Sequence, residues 1–301
     1  MANNKLILKV TELAFYNGAL VYPNEIIKNF KGDKVPLFYT PHGYSFLMKD
    51  QSALKRNIYK AIEWISARGK CTTISCSEGE HKETLKLTKR AVYVNNGINI
   101  EDLSDMLKTI EIDNDQFTVF TLGRICYQKN PKLFNSIAEM LPNVKFVWIG
   151  DGELRNELKA PNIEITGWVD RKTALERSMQ GTVFVLTSLW EGLPISLLEA
   201  MYMKKLCVVS DVIGNRDVIN SSNGFVCKSA EDFKSAVLMA QNGDLKMMVE
   251  NAYRDIKTSY NTQVMSAKYA KIYAGGVSHD VITVTFVISC DAYCHAEKVV
   301  A

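Results

Sequence analysis

The chain has 301 residues, 47% apolar and 23% charged, which is enough for two domains that each bury a core. A net charge of +3 is too small for the electrostatic footprint of a nucleic-acid binder, so no nucleic-acid partner is expected; an anionic substrate or membrane surface stays open. No apolar run is long enough to span a bilayer, the first residues lack a signal-peptide core, and the seven scattered cysteines read as reduced thiols of a cytoplasmic protein.

Residues 5–10 (Lys-Leu-Ile-Leu-Lys-Val) read as a strand, and residues 35–40 as a better one. Pro41-His42-Gly43-Tyr44 then forms a turn. A loop directly after a parallel strand is where α/β folds place ligand groups, so His42 is a candidate site residue; a surface or capping role is the alternative. From Ser52 to Arg68, Leu54, Ile58, Ile62 and Ile65 fall on one helical stripe, with Lys55, Arg56, Lys60 and Arg68 on other faces. The preferred reading is a helix packed on a sheet; a basic amphipathic helix touching anionic lipid is the second. Residues 71–76 read as a buried strand, 80–89 as a helix and 91–94 as a strand, ending in the turn signal Asn95-Asn96-Gly97. The polar stretch 102–115 is assigned to the link between domains.

Beyond it the pattern becomes regular. Strands fit at 117–121, 144–149, 163–166, 182–188, 206–210 and 224–226, with helices between them at 131–140 and 172–179, among others, and helical patterns from 230 to 274. Alternating strands and helices imply a parallel sheet covered on both faces. Gly275-Gly276 reads as a hinge, followed by a β-branched run at 281–289 and a helix start at 296–301.

Three loops at strand ends carry chemistry. Thr121-Leu-Gly123-Arg124 lets the backbone turn at Gly123, and Lys129 follows five residues after Arg124; a guanidinium fork and an ammonium can meet a diphosphate, though two exposed basic residues would read alike. Ile149-Gly150-Asp151-Gly152 starts like a dinucleotide fingerprint, but Arg155 stands where the last glycine is needed. Glu191 and Glu199 are eight residues apart, in a strand–loop–helix whose helix start, with Pro194 at its first position, frees the N–H groups of Ile195 and Ser196 for an anion. On spacing alone Glu191 is a solvated loop residue and Glu199 a helix-face charge. Gly214 to Asp217 form another strand-end loop, as consistent with a surface turn as with a ligand. Cys290, Cys294 and His295 lack a convincing fourth ligand and a zinc spacing, so no metal is expected.

The run Glu191-Gly192-Leu193-Pro-Ile195-Ser196-Leu-Leu-Glu199-Ala-Met resembles the Glu-x7-Glu motif of retaining GT-B glycosyltransferases of the bacterial polysaccharide type, glycosyl transferases group 1. Leu-Gly-Arg-x4-Lys-Asn-Pro is similar to that family's pyrophosphate loop, and Thr-Pro-His-Gly-Tyr-Ser-Phe to its first-domain loop. The resemblance implies an α/β, GT-B-like fold: two Rossmann-like domains facing a cleft, the first one shortened. It divides the chain into an acceptor-side domain at 1–112, a donor-binding domain at 113–274, and a tail at 277–301 that resembles the family's opening strand and rejoins the first domain, as a circular permutation would. It implies a retaining sugar transfer from a UDP-, GDP- or dTDP-sugar to a polysaccharide or lipid-linked acceptor, without a cofactor, in the cytoplasm or at the inner membrane face. Arg124 and Lys129 would hold the diphosphate and Glu199 the ribose. Gly123, Gly192, Leu193, Ile195 and Ser196 would line the donor, and Glu191 and His42 would orient the sugar. An epimerase or hydrolase on this fold, and a non-catalytic nucleotide-sugar-binding protein, are the other readings.

Overall fold

The computed structural model describes residues 37–67, 71–111, 116–275 and 282–283. The strand expected at 5–10, the Cys290–His295 group and the helix start at 296–301 lie outside them. Two parallel sheets organise the described residues.

The second sheet holds six strands: β4 (Thr118–Leu122), β5 (Lys145–Ile149), β6 (Ile163–Ile165), β7 (Val183–Leu186), β8 (Leu206–Ser210) and β9 (Phe225–Cys227). Their order is β6-β5-β4-β7-β8-β9, which reverses direction between β4 and β7. That is the doubly wound arrangement, and its ligand crevice lies where the order reverses, outside the strand C-termini. The strands are apolar on both faces because both are covered. Alternate residues feed two cores: Val119, Phe146, Trp148, Val183, Val185 and Val208 on one face, Phe120, Val147, Ile149, Phe184 and Val209 on the other. On the first face Phe134 of α4 (Pro131–Glu139) meets Phe146 and Trp148 edge-on, with ring centroids 5.5 and 5.0 Å apart.

The first sheet holds β1 (Leu37–Tyr39), β2 (Thr72–Ser75) and β3 (Ala91–Tyr93) in parallel, in the order β10-β1-β2-β3. Its outer strand β10 (Ile282–Thr283) comes from the far end of the chain and pairs Leu37 with Ile282 and Phe38 with Thr283. Helix α10 (Thr262–Gly275) also packs here: Met265, Tyr269, Ile272 and Tyr273 lie against Phe38, Ile74 and Val94. Its sequence pattern runs on without a break from α8 (Ala230–Asn242) and α9 (Lys246–Ser259), which is why sequence reading attached it to the second unit. The chain changes sheet twice, and the crossings touch: Ile98 N–H donates to Tyr260 O and Ile98 O accepts from Thr262 N–H, both at 3.0 Å.

Two expectations differ from the structure. The stretch read as a polar link contains helix α3 (Ile100–Leu107), capped by Asn99. Glu101 and Asp105 face water, while Leu103 is buried in the second-sheet core with Ile100, Met106 and Leu107 packed on it; the charges masked that apolar stripe. Helix α1 (Ala53–Ser66) does not lie flat on a sheet and buries no residue. It turns Tyr59 toward the cluster of Tyr44, Phe46 and Leu87, and Glu63 accepts from Tyr39 Oη at 3.1 Å. The opposite stripe of Leu54, Ile58 and Ile65 therefore faces outward, at 72%, 48% and 60% exposure.

Candidate functional site

Every candidate loop follows a parallel strand at its C-terminal end. After β4, Gly123 has φ +142°, open to glycine and strained for other residues. A one-turn helix at Tyr127–Lys129 then carries Lys129 inward. Thr187 after β7 fixes it by donating to Lys129 O at 2.6 Å, and Leu189 N–H donates to Gln128 O at 2.8 Å. The β4 and β7 loops, on either side of the reversal, are thus sewn together.

Their side chains meet as well. Lys129 Nζ lies 2.9 Å from Glu191 Oε1, and both side chains are almost fully buried, at 3% and 5% exposure. Gln128 Nε2 donates to Trp190 O at 3.0 Å and to Glu191 Oε2 at 3.4 Å. Two charges withdrawn from water at a crevice are costly to keep and are retained in good geometry. Arg124, expected beside Lys129, instead points outward and pairs with Glu153 at 2.9 Å, with both side chains about half exposed.

Glu191 leads into α6 (Ile195–Tyr202), whose N-cap is Pro194, one position earlier than the sequence suggested. Proline offers no capping side chain, so the helix start presents backbone donors to the crevice. Leu193 is buried and Ile195 partly exposed there. Ser196 is half-buried. Glu199, one turn in, is buried, and its Oε1 accepts from Arg171 at 2.7 Å, at the start of α5 (Arg171–Met179). Burial pushes the Glu199 carboxyl above the usual range; Arg171 holds it down and Asp102 adds to the rise.

The first sheet supplies His42. It has φ 49°, in the left-handed region, with Gly43 behind it at 108°. Desolvation pulls its imidazolium down to about 4, so the ring is neutral near pH 7. This loop packs against the Glu191–Gly192 loop: a Cβ on Gly192 would lie 3.3 Å from His42 C and Gly43 N and 3.1 Å from Cys76 Sγ. Further contacts join the sheets at the same place. Asn96 Nδ2 donates to Leu193 O at 3.2 Å, and Gly79 N–H donates at 2.8 Å to Oδ2 of Asp217, on α7 (Asn215–Val218).

The structure therefore brings together His42, Lys129, Glu191, Gly192 and Leu193, with Gly123 beside the Lys129 stem and Glu199 behind the helix start. Arg124 stays apart. Sequence reading missed Gln128, Arg171 and Asn96. Asn96 had a signal, its Asn-Gly turn; Gln128 and Arg171 act on partners 63 and 28 residues away, which no local pattern reveals. Among the described residues no cluster of three His, Cys, Asp or Glu side chains suited to a metal occurs.

Residues 116–242 match the family described as glycosyl transferases group 1. This stretch contains the whole β4–β9 sheet with both loops of the Lys129–Glu191 pair. Curated relatives include the Escherichia coli UDP-Gal:α-D-GlcNAc-diphosphoundecaprenol α-1,3-galactosyltransferase, 29% identical over 78% of this chain and 68% of the relative. Another is a Campylobacter jejuni α-1,4-N-acetyl-D-galactosaminyltransferase named for a diNAcBac-PP-undecaprenol-linked substrate, 26% identical over 75% of this chain and 62% of its own length. Among solved structures, the sucrose-phosphate synthase of Thermosynechococcus elongatus matches with TM-score 0.69 and 15% identity over 83% of this chain and 69% of that one. Anabaena HepE in complex with UDP-glucose matches with TM-score 0.66 and 15% identity over 80% and 72%. The fold is that of the GT-B glycosyltransferases, with two Rossmann-like halves.

Proposed function

We propose that the chain is a retaining glycosyltransferase that moves a sugar from a nucleoside-diphosphate sugar to a polysaccharide or lipid-linked glycan. The buried Lys129–Glu191 pair carries this reading. It sits at the reversal of a parallel sheet, in front of a helix start with no capping side chain. A diphosphate bound there would take over the Lys129 ammonium and the N–H groups of Ile195 and Ser196. Glu191, released from Lys129, would accept hydrogen bonds from sugar hydroxyls. Arg124 is exposed enough to leave Glu153 and close on the diphosphate as a fork. Glu199 would accept from the ribose through the oxygen Arg171 does not use, and neutral His42 would contact the sugar from the other side.

Charge stabilisation of the departing diphosphate then lowers the barrier directly. The bond from the sugar's anomeric carbon to the diphosphate oxygen breaks as the acceptor hydroxyl oxygen bonds to that carbon on the same face. The acceptor's proton passes to the leaving diphosphate oxygen, so no protein nucleophile is needed.

The division into an acceptor-side unit at 1–112 completed by 277–301 and a donor-side unit at 113–274 belongs to the same proposal. Pairing of β10 with β1 supports the return of the tail; the docking of α10 on the first sheet moves part of the donor-side boundary. The outward apolar stripe of α1, with exposed Lys55 on the same helix, supports peripheral contact with an anionic membrane, where lipid-linked acceptors are found. The test is incubation with UDP-galactose, UDP-N-acetylglucosamine and the GDP and dTDP sugars, with and without an undecaprenyl-diphosphate-linked sugar. Anomeric proton couplings then give the product's configuration. An inverted product rejects retention, free sugar alone favours a hydrolase, and binding without turnover favours a non-catalytic protein.

A further inference from the structure

The His42 loop holds a backbone shape that its sequence does not favour. A left-handed non-glycine residue persists only where its surroundings fix it, and His42 at φ 49° is such a residue. The fixing group lies on α2 (Glu78–Thr84), between β2 and β3 of the first sheet. Glu80 is wholly buried. Its Oε1 accepts from Gly43 N–H at 2.6 Å and its Oε2 from Cys76 N–H at 2.7 Å. One helical turn on, Thr84 Oγ1 lies 2.8 Å from Tyr44 Oη and from Ser75 Oγ. The loop is therefore held at Gly43 and at Tyr44 by two side chains of one helix face.

The groups that Glu80 grips also face the second sheet. Gly43 N, His42 C and Cys76 Sγ are the nearest atoms to a Cβ built on Gly192, the residue after Glu191. We infer that Glu80 is a positioning residue for glycosyl transfer: through the Gly43 amide it holds His42 beside the Glu191–Gly192 loop, touching neither donor nor acceptor. The inference rests on the proposed transfer reaction. A carboxylate suits the task because it accepts at both oxygens, whereas a glutamine in the same place would turn an NH2 donor toward one of the two N–H groups. Burial pushes the Glu80 carboxyl up, and the Cys76 and Gly43 amides hold it down, so these two donors favour its ionised form.

The test is a double-mutant cycle of Glu80→Gln and His42→Ala, with UDP-galactose as donor and UDP as binding probe. Glu80→Gln is expected to lower kcat about ten- to a hundredfold, the equivalent of one charge-assisted hydrogen bond, with UDP affinity unchanged. In the His42→Ala background the same substitution is expected to cost less than about threefold, because coupled residues are not additive. Glu80→Asp, which keeps both acceptors, recovers part of the rate and takes the place of Glu80→Gln in the cycle should the glutamine variant not fold. Additive losses, or a loss of UDP affinity equal to the loss of kcat, overturn the inference. Should the wild type turn over no nucleotide sugar, the transfer reading fails separately. The Gly43 amide and His42 imidazole resonances of the labelled protein still decide whether Glu80 sets the loop: displacement in Glu80→Gln supports it, and unchanged positions overturn it.

Discussion

Replacing Lys129 by methionine keeps most of the apolar stem and removes the charge, which strands Glu191 in a site where its side chain is 5% exposed. Removing one partner of a buried ion pair costs about 3–5 kcal/mol, since the remaining buried charge has lost its ion-pair partner. Glu191→Gln strands the ammonium in the same way. The double variant, Lys129→Met with Glu191→Gln, leaves neutral groups of similar size and should be more stable than the two single losses predict by about 1–3 kcal/mol. Urea denaturation of the wild type, both single variants and the double variant measures this, with hydrogen exchange at β4 and β7 locating the change. Single losses below about 1 kcal/mol that add in the double variant would match an exposed pair and refute the reasoning.

The two carboxylates are expected to separate by ligand. Glu199→Gln weakens bare UDP about tenfold or more, whereas Glu191→Gln leaves UDP binding as tight or tighter, since Lys129 no longer has to give up the carboxylate, and weakens only UDP-sugar, as read by titration calorimetry; equal losses for both ligands in both variants contradict the assignment. On the membrane side, Leu54→Glu with Ile58→Glu should abolish co-sedimentation with vesicles containing anionic phosphatidylglycerol and leave UDP binding intact; unchanged co-sedimentation removes α1 from any lipid contact. Deleting residues 277–301 should speed amide exchange in β1, β2 and β3 and spare β4 to β9, while faster exchange confined to the second sheet, or none anywhere, refutes the return of the tail to the first sheet.

Where physics acts locally, the sequence was readable. The second-sheet strands declare themselves because each is a short apolar run buried on both faces, as Val183–Leu186 shows. The Glu191–Glu199 segment was readable because strand, glycine loop and helix follow within a few residues. Reading failed where a decision depends on distant partners. Lys129 looks like a loop cation until Glu191, 62 residues on, turns it inward. Arg124 looks equivalent to Lys129, yet Glu153 draws it outward. Helix α3 was lost because Glu101, Asp102 and Asp105 outweighed a stripe of Ile100, Leu103 and Leu107 whose partner sheet begins later in the chain. Helix α10 has a helical pattern that says nothing about which sheet it covers, and only Phe38, Ile74 and Val94 decide that.

The two sheet crossings have a mechanical consequence. Ile98 is gripped on both sides of its peptide unit by Tyr260 and Thr262, and a Cβ on Gly97 would come within 2.4 Å of Asn261 O. Two strands of rope knotted at one point cannot slide past each other there. Sliding one sheet along the other would break both Ile98 hydrogen bonds and drive Gly97 into Asn261, so the crossing resists translation at that point.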